Sequence, residues 1–206
     1  MKYLPLGDSY TICTGAKAEE SWPVILTKHL IENNVNCLLM DNPARNGFST
    51  QNLIDTELPL VKKYNPDFVT LLIGVNDWVR GITKEQFEKN LNFILDDLQK
   101  NLIKQNNILL ITIPDFGVTP RGKEYSNGRN ISEGILAFNS ILKKESSERG
   151  LPLVDIFPIS KKMGEDGSLV AQDGLHPSNK EYSIWESFIL QACLEMLQTK
   201  NKKSGS

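Results

Sequence analysis

The chain has 206 residues, a length that suits one domain with a single substantial core. Its formal net charge of −2 and its 23% of charged residues show no basic excess, so we expect no nucleic-acid partner and no anionic membrane surface as a partner. No apolar run approaches the roughly 20 residues that cross a bilayer and no signal peptide precedes residue 7, so we expect no membrane insertion and a cytoplasmic protein, unless a leader has been removed.

Five short runs rich in aliphatic and β-branched residues alternate with longer amphipathic stretches. The runs lie at residues 2–6, 35–41, 67–74, 107–114 and 151–157. This alternation is typical of βαβ units and predicts an α/β fold with a parallel sheet. The third and fourth runs are almost continuously apolar, so we expect them to be central strands covered by helices on both faces. Pro5 cannot donate to a ladder, so we expect the first strand to be short or to begin at a sheet edge.

Two of the amphipathic stretches carry helix-start signals. Residues 83–102 begin with Thr83 and Gln86 at capping-box spacing, and Ser178 and Glu181 repeat this spacing before the last helix. The core face of that last helix is expected to consist of Trp185, Phe188, Ile189, Ala192 and Met196. Residues 1–198 are therefore predicted to form one domain, and residues 199–206 a solvated tail.

The three cysteines form neither a CxxC pair nor an even set, so we expect reduced, mostly buried thiols. They are Cys13, Cys37 and Cys193.

The chain contains only two histidines, so a histidine base has to be His29 or His176. His29 recurs at helical spacing with apolar neighbours, which favours packing on a helix face. His176 lies in a short loop, DGLHPS, with Asp173 three residues upstream. Such a loop can bring a carboxylate to one imidazole nitrogen and leave the other pointing into a cleft. A turn that caps the last helix is the alternative interpretation of this pair.

Ser9 follows the first predicted strand and is the candidate nucleophile. A serine hydroxyl needs a base and a group that orients the base, and His176 and Asp173 can supply these roles. The carboxyl ends of parallel strands gather along one edge, so the loops after the first and fifth strands can meet there. Gly47 and Asn76 follow the second and third strands and could donate hydrogen bonds to an oxyanion, although each alone is also explained by an ordinary turn.

Four short blocks together resemble the SGNH hydrolases, the family of GDSL-type esterases and acylhydrolases. The blocks are GDSYT at 7–11, the glycine of ARNGFST, GVND at 74–77 and DGLHP at 173–177. The resemblance implies a three-layer, flavodoxin-like fold with a central five-stranded parallel sheet flanked by helices. Tyr10 stands where the family has the leucine of its name, a position outside the catalytic set.

The same resemblance implies a role for each candidate residue. Ser9 would be the nucleophile and would offer the first oxyanion-hole amide, Gly47 would offer a second amide, and Asn76 would offer its side-chain amide. His176 would be the base and Asp173 its orienter.

These features predict a serine esterase that cleaves a small-molecule carboxylic ester, with a short acyl chain, through an acyl-enzyme on Ser9. No metal or organic cofactor is required. A carbohydrate O-deacetylase, a thioesterase and a lysophospholipase are alternatives with the same triad, and the sequence separates neither hydrolysis from acyl transfer nor one oligomeric state from another. A non-catalytic ligand-binding module is a further alternative, but the chain has no GxGxxG or Walker A pattern.

Several apolar loop residues could wall a substrate pocket, with packing of the loops on the core as the alternative. These residues are Tyr10, Trp78, Val79, Phe116 and Val118.

Overall fold

The computed structural model of the protein describes residues 1–198, so the tail expected at residues 199–206 lies outside the described residues. A parallel sheet of five strands has the order β2-β1-β3-β4-β5, as in flavodoxin-like folds. The strands are β1 (Lys2–Gly7), β2 (Leu38–Leu39), β3 (Phe68–Leu72), β4 (Ile108–Ile111) and β5 (Leu153–Val154). The predicted α/β class and the five-stranded parallel sheet are confirmed.

Helices fill the connections between the strands. They are α1 (Ser9–Ile12), α2 (Trp22–Glu32), α3 (Thr50–Thr56), α4 (Leu58–Tyr64), α5 (Val75–Val79), α6 (Lys84–Asn101), α7 (Ile131–Arg149), α8 (Phe157–Ser160) and α9 (Asn179–Gln198). Short 3₁₀ turns lie at Ala18–Glu20, Phe116–Val118, Gly122–Tyr125, Lys161–Gly164 and Gly167–Leu169. Helix α2 packs on α9, whereas α3, α4, α6 and α7 pack against one another in series. No helix in residues 1–198 is long and apolar enough to cross a membrane.

β1 is an inner strand in spite of Pro5, so the expectation of a short or edge strand is wrong. It spans six residues between β2 and β3, and Pro5 pairs in register with Thr70 of β3. The backbone N–H and C=O groups of the odd-numbered residues of β1 point towards β2, since the Met40 amide donates to the Tyr3 carbonyl at 2.9 Å. β2 ends at Leu39, so Pro5 lies just beyond its last rung, where the ladder needs no amide hydrogen.

The buried stripes follow the predictions with one exception. β3 and β4 are buried at every residue, and α6 begins after Thr83, whose hydroxyl accepts the Gln86 amide at 3.2 Å. In α9, however, Phe188 is 49% exposed, and Cys193 is buried on the core face instead. At 100° per residue, Phe188 lies about 100° from the centre of the buried face, too far round the helix to reach the core.

The capping box expected at the start of α9 forms only in half. The Ser178 hydroxyl accepts the Glu181 amide at 3.4 Å. The Glu181 carboxylate does not return to Ser178; its Oε1 accepts the indole N–H of Trp185 at 2.6 Å instead. All three cysteines are buried, as expected.

Candidate active site

Ser9 stands at the turn from β1 into α1, where the chain is closely confined. Gly7 before it is buried, and a Cβ atom there would lie 2.2 Å from the Leu72 carbonyl oxygen, so only glycine fits. The Asp8 carboxylate accepts the Tyr10 amide at 3.0 Å and caps α1. Ser9 itself is 6% exposed. The sequence therefore places a serine at the carboxyl edge of the sheet on a backbone with little freedom to move.

Asp173 and His176 form a local acid–base pair in the loop between the last 3₁₀ turn and α9. Asp173 Oδ2 lies 2.6 Å from His176 Nδ1, and Asp173 Oδ1 accepts the backbone amides of Leu175 and His176 at 2.9 Å each. Gly174 between them has a φ of +72°, in the left-handed region that glycine adopts without strain. The His176 side chain is 17% exposed. One carboxylate thus fixes both the loop and the ring, as expected from the spacing.

The hydrogen bonds of Asp173 keep it ionised. Partial burial raises the pKa of Asp173, but the hydrogen bonds from the His176 ring and from the amides of Leu175 and His176 outweigh burial, so that the pKa falls below its ordinary value. An ionised carboxylate at Nδ1 holds the hydrogen on that nitrogen and can stabilise a positive imidazolium. His176 Nε2 is then the nitrogen that can accept a proton.

Tyr10 connects the nucleophile turn to the histidine. Its ring centroid lies 6.1 Å from that of His176, in an edge-to-face arrangement, and Tyr10 is the residue next to Ser9. Within residues 1–198, no hydrogen bond joins the Ser9 hydroxyl to the His176 ring. In serine hydrolases this hydrogen bond often tightens only when substrate binds.

Gly47, in the loop before α3, and Asn76, at the start of α5, lie at the same edge of the sheet. Gly47 has a φ of +79°, and its carbonyl accepts the Arg80 guanidinium at 2.6 Å. The Asn76 side-chain amide donates to the Phe48 carbonyl at 2.9 Å, which uses one of its two hydrogens. The backbone amides of Ser9 and Gly47 donate to no acceptor in the described part of the chain. Three donors therefore have hydrogens left for a ligand at this edge.

Asp77 is a supporting residue that the sequence analysis did not single out. It is buried, and its carboxylate accepts the amide of Thr50 at 2.9 Å and also the Thr50 hydroxyl. The Asn90 side chain donates to the same hydroxyl at 2.9 Å. Burial raises the pKa of Asp77, against the hydrogen bonds from Thr50. This network ties α5, which carries Asn76, to the start of α3, and the single charged residue of the stretch 68–79 was the signal for it.

Arg121 is a second supporting residue, in the long polar stretch 114–130. Its backbone amide donates to the Gly174 carbonyl at 2.9 Å, and its guanidinium donates to the Asp173 carbonyl at 3.2 Å. The guanidinium also pairs with Glu124 at 2.7 Å. This stretch is therefore packed against the loop that carries the acid–base pair.

Three of the five candidate pocket residues are packed into the core. Tyr10, Trp78 and Phe116 are buried, and the Tyr10 ring packs on Trp185 with centroids 5.9 Å apart. Trp78 and Phe116 meet edge to face at 5.9 Å, and the Arg129 guanidinium lies 4.0 Å from the Trp78 ring centroid. These three make the core contacts that the alternative interpretation describes, and Trp78 also lines a surface pocket with Arg129. Val79 and Val118 are half-buried.

His29 lies on α2, as expected from its spacing. Its Nδ1 is 3.1 Å from the buried carboxylate of Glu186 on α9, so it belongs to the contact between these two helices.

Comparison with known proteins adds family information to this geometry. The model of the GDSL-like Lipase/Acylhydrolase family matches residues 6–184. An arylesterase of Vibrio mimicus is 26% identical over 201 residues, which cover 95% of this chain and 90% of that protein. A multidomain esterase of Ruminococcus flavefaciens is 33% identical over 134 residues, which are 64% of this chain but only 16% of that protein.

A solved structure shares the fold. The psychrotrophic esterase EstA from Pseudoalteromonas sp., described in a structure inhibited by monoethylphosphonate, superposes with a TM-score of 0.74 at 21% identity. The match covers 95% of this chain and 98% of the other.

Proposed function

The chain belongs to the GDSL-like lipase/acylhydrolase family, and we propose that it is a serine esterase that cleaves short-chain esters of small alcohols or phenols through an acyl-enzyme on Ser9. The observation that carries the assignment of roles is the 2.6 Å contact between Asp173 and His176, in a loop whose histidine ring faces the residue next to Ser9. A histidine oriented in this way can remove the proton of a serine hydroxyl.

In the first half of the reaction, Ser9 Oγ attacks the ester carbonyl carbon while His176 Nε2 takes the hydroxyl proton. Asp173 balances the imidazolium that forms. The negative charge that develops on the carbonyl oxygen is stabilised by the amides of Ser9 and Gly47 and by the Asn76 side chain. Collapse of the tetrahedral intermediate breaks the bond to the leaving oxygen, which receives the proton from His176.

In the second half, water attacks the acyl-enzyme and gives its proton to His176. The acid is released, and Ser9 regains its hydrogen. An acceptor hydroxyl in place of water would give acyl transfer by the same steps. The product of the acyl-enzyme with a sugar or an alcohol acceptor distinguishes transfer from hydrolysis.

Two observations support a short acyl chain. Tyr10, Trp78 and Phe116, the large apolar candidates for an acyl channel, are packed into the core. The stretch 114–130 beside the acid–base loop is polar and contains charged groups such as Arg121 and Glu124. The arylesterase relative makes aryl esters a natural first substrate class. A carbohydrate O-deacetylase, a thioesterase and a lysophospholipase remain alternatives with the same triad.

Active-site labelling tests the proposal. We expect a fluorophosphonate to label the intact protein at Ser9, located by peptide mass spectrometry, and we expect Ser9→Ala to lose both the label and the hydrolysis of 4-nitrophenyl acetate. Ser140→Ala, at an exposed serine of α7, is the matched control and should keep both. A label on another serine, or a Ser9→Ala variant within a few-fold of wild-type activity, would disprove the assignment.

A further inference from the structure

The end of β1 depends on a buried acid that is distant in sequence. We propose that Glu57 is a positioning residue for the nucleophile: its carboxyl group replaces the missing β2 partner of Gly7 and fixes the backbone that presents Ser9. This role rests on the proposed function, because it concerns the same serine.

The first support is the hydrogen-bond pattern of the sheet. The amide of Gly7, an odd-numbered residue of β1, points towards the β2 side. However, β2 ends at Leu39, and its last pairing with β1 is at Tyr3. The buried Gly7 amide donates instead to Glu57 Oε2 at 2.9 Å. Glu57 lies between α3 and α4 and is 0% exposed. Without this carboxyl group the Gly7 amide would be a buried donor without a partner, which proteins rarely tolerate.

The second support is the lack of space around Gly7. A Cβ atom at this position would lie 2.2 Å from the Leu72 carbonyl oxygen and 2.3 Å from Thr11 Oγ1. The backbone at Gly7 is therefore packed closely against β3 and α1, and the Glu57 carboxyl group holds its amide from the side that β2 leaves open. Ser9 is two residues further on, so a displaced Gly7 carries the nucleophile with it. Misplacement of a nucleophile by about 1 Å is enough to cost about 10²-fold in rate.

The charge state of Glu57 follows from its surroundings. Burial raises the pKa of Glu57 to about 8, against the hydrogen bond from Gly7, and Asp8 adds to the increase. Burial likewise raises the pKa of Asp8 to about 8, with Asp77 as its charged neighbour. Both acids keep one buried oxygen, Glu57 Oε1 and Asp8 Oδ2, without a hydrogen-bond partner in the described part of the chain.

Asp8 raises the pKa of Glu57 and Asp77 raises that of Asp8, and no basic side chain in residues 1–198 is found to lower either pKa. We therefore expect Glu57 to be mainly protonated at pH 7, so that it adds no negative charge beside the turn that carries Ser9. Its ionisation above about pH 8 would place a negative charge beside that turn, where it would oppose the charge that develops in the reaction.

Two substitutions at position 57 separate the role of Glu57 as a hydrogen-bond acceptor for Gly7 from the effect of its charge. Glu57→Gln keeps an acceptor oxygen for Gly7 and cannot ionise, so we expect kcat within about threefold of wild type at pH 7. We also expect a smaller fall in kcat above about pH 8 than in wild type, because only Asp8 can then ionise there. Glu57→Leu removes the acceptor at similar volume. We expect its kcat and its rate of fluorophosphonate labelling to fall at least about tenfold, with KM changed less than about threefold.

The matched control is Glu186→Leu, which removes another buried glutamate, far along the chain on α9 and paired with His29. It should lower the melting temperature without changing kcat or the labelling rate. This control separates a loss of stability from a loss of nucleophile position.

Several results would overturn the role of Glu57. A folded Glu57→Leu variant with wild-type kcat would do so, as would Gln and Leu variants with equal losses at pH 7. If Glu57→Leu does not fold, the Gln variant decides, and an alkaline fall identical to that of wild type would overturn the proposal. A wild-type protein that neither hydrolyses esters nor reacts with fluorophosphonate would overturn the proposed function itself, and with it this role.

Discussion

Replacement of Asp173 by asparagine separates the two tasks of this carboxylate. Asp173 accepts two backbone amides at 2.9 Å through Oδ1 and contacts His176 Nδ1 at 2.6 Å through Oδ2. The Asp173→Asn side chain would keep an oxygen for the amides, so the loop should keep its shape. It would present an NH₂ group to Nδ1, which favours the wrong imidazole tautomer and removes the charge that balances the imidazolium. A loss of about 10⁴-fold in kcat is the usual cost of this change in a serine triad.

Asp173→Ala provides the contrast in stability. It removes both loop hydrogen bonds to a charged acceptor, each worth about 1.5–3 kcal/mol when shielded from water. The Asp173 side chain is 37% exposed, so solvent screening reduces this to a total of about 1–3 kcal/mol. Both variants should therefore lose activity, but only Asp173→Ala should lose substantial stability.

Steady-state kinetics on 4-nitrophenyl acetate and urea unfolding measure these two effects separately. His29→Gln is the control, since His29 pairs with Glu186 between α2 and α9 and should leave turnover unchanged. An Asp173→Asn variant with more than a tenth of wild-type kcat would refute the assignment of Asp173 as the orienting acid. So would a His29→Gln variant that is folded and inactive while His176→Gln remains active.

Asn76→Ala should lower kcat by about 10²-fold to 10³-fold and raise KM much less, because an oxyanion donor acts mainly on the transition state; an effect confined to KM would assign Asn76 to substrate binding. Across 4-nitrophenyl esters, kcat/KM should peak between acetyl and butyryl and fall by octanoyl, although each buried methylene could add about 0.8 kcal/mol in a true acyl channel. A maximum at decanoyl or longer would refute the short pocket. Stability should also fall as the pH rises from about 4 towards 8, since Asp8 and Glu57 stay protonated in the fold but ionise at lower pH when unfolded, with a slope of up to about 1.4 kcal/mol per pH unit for each group. Urea unfolding at several pH values should show a smaller slope for Glu57→Gln, and an equal slope would contradict the buried, neutral state of Glu57.

The sequence alone determined the features that depend on local spacing. Hydrophobic runs and the stretches between them located all five strands, because each strand of a covered parallel sheet is apolar along its own length. The contact of Asp173 with His176 was also predictable, since a separation of three residues limits where a carboxylate can lie. The family resemblance came from short blocks of the same kind, and the family match over residues 6–184 confirms it.

Only the tertiary structure decided features that depend on strand order and on long-range contacts. Pro5 is tolerated in an inner strand because β2 stops before reaching it, and the length of a neighbouring strand is not visible in the sequence of β1. Phe188 points outwards because the partners of α9 set which side of the helix is buried. The hydrogen bond from Gly7 to Glu57 joins residues 50 positions apart, and no local pattern relates them. Burial and pairing of this kind are fixed when the sheet is assembled, since each buried amide then takes whichever acceptor the packed chain brings to it.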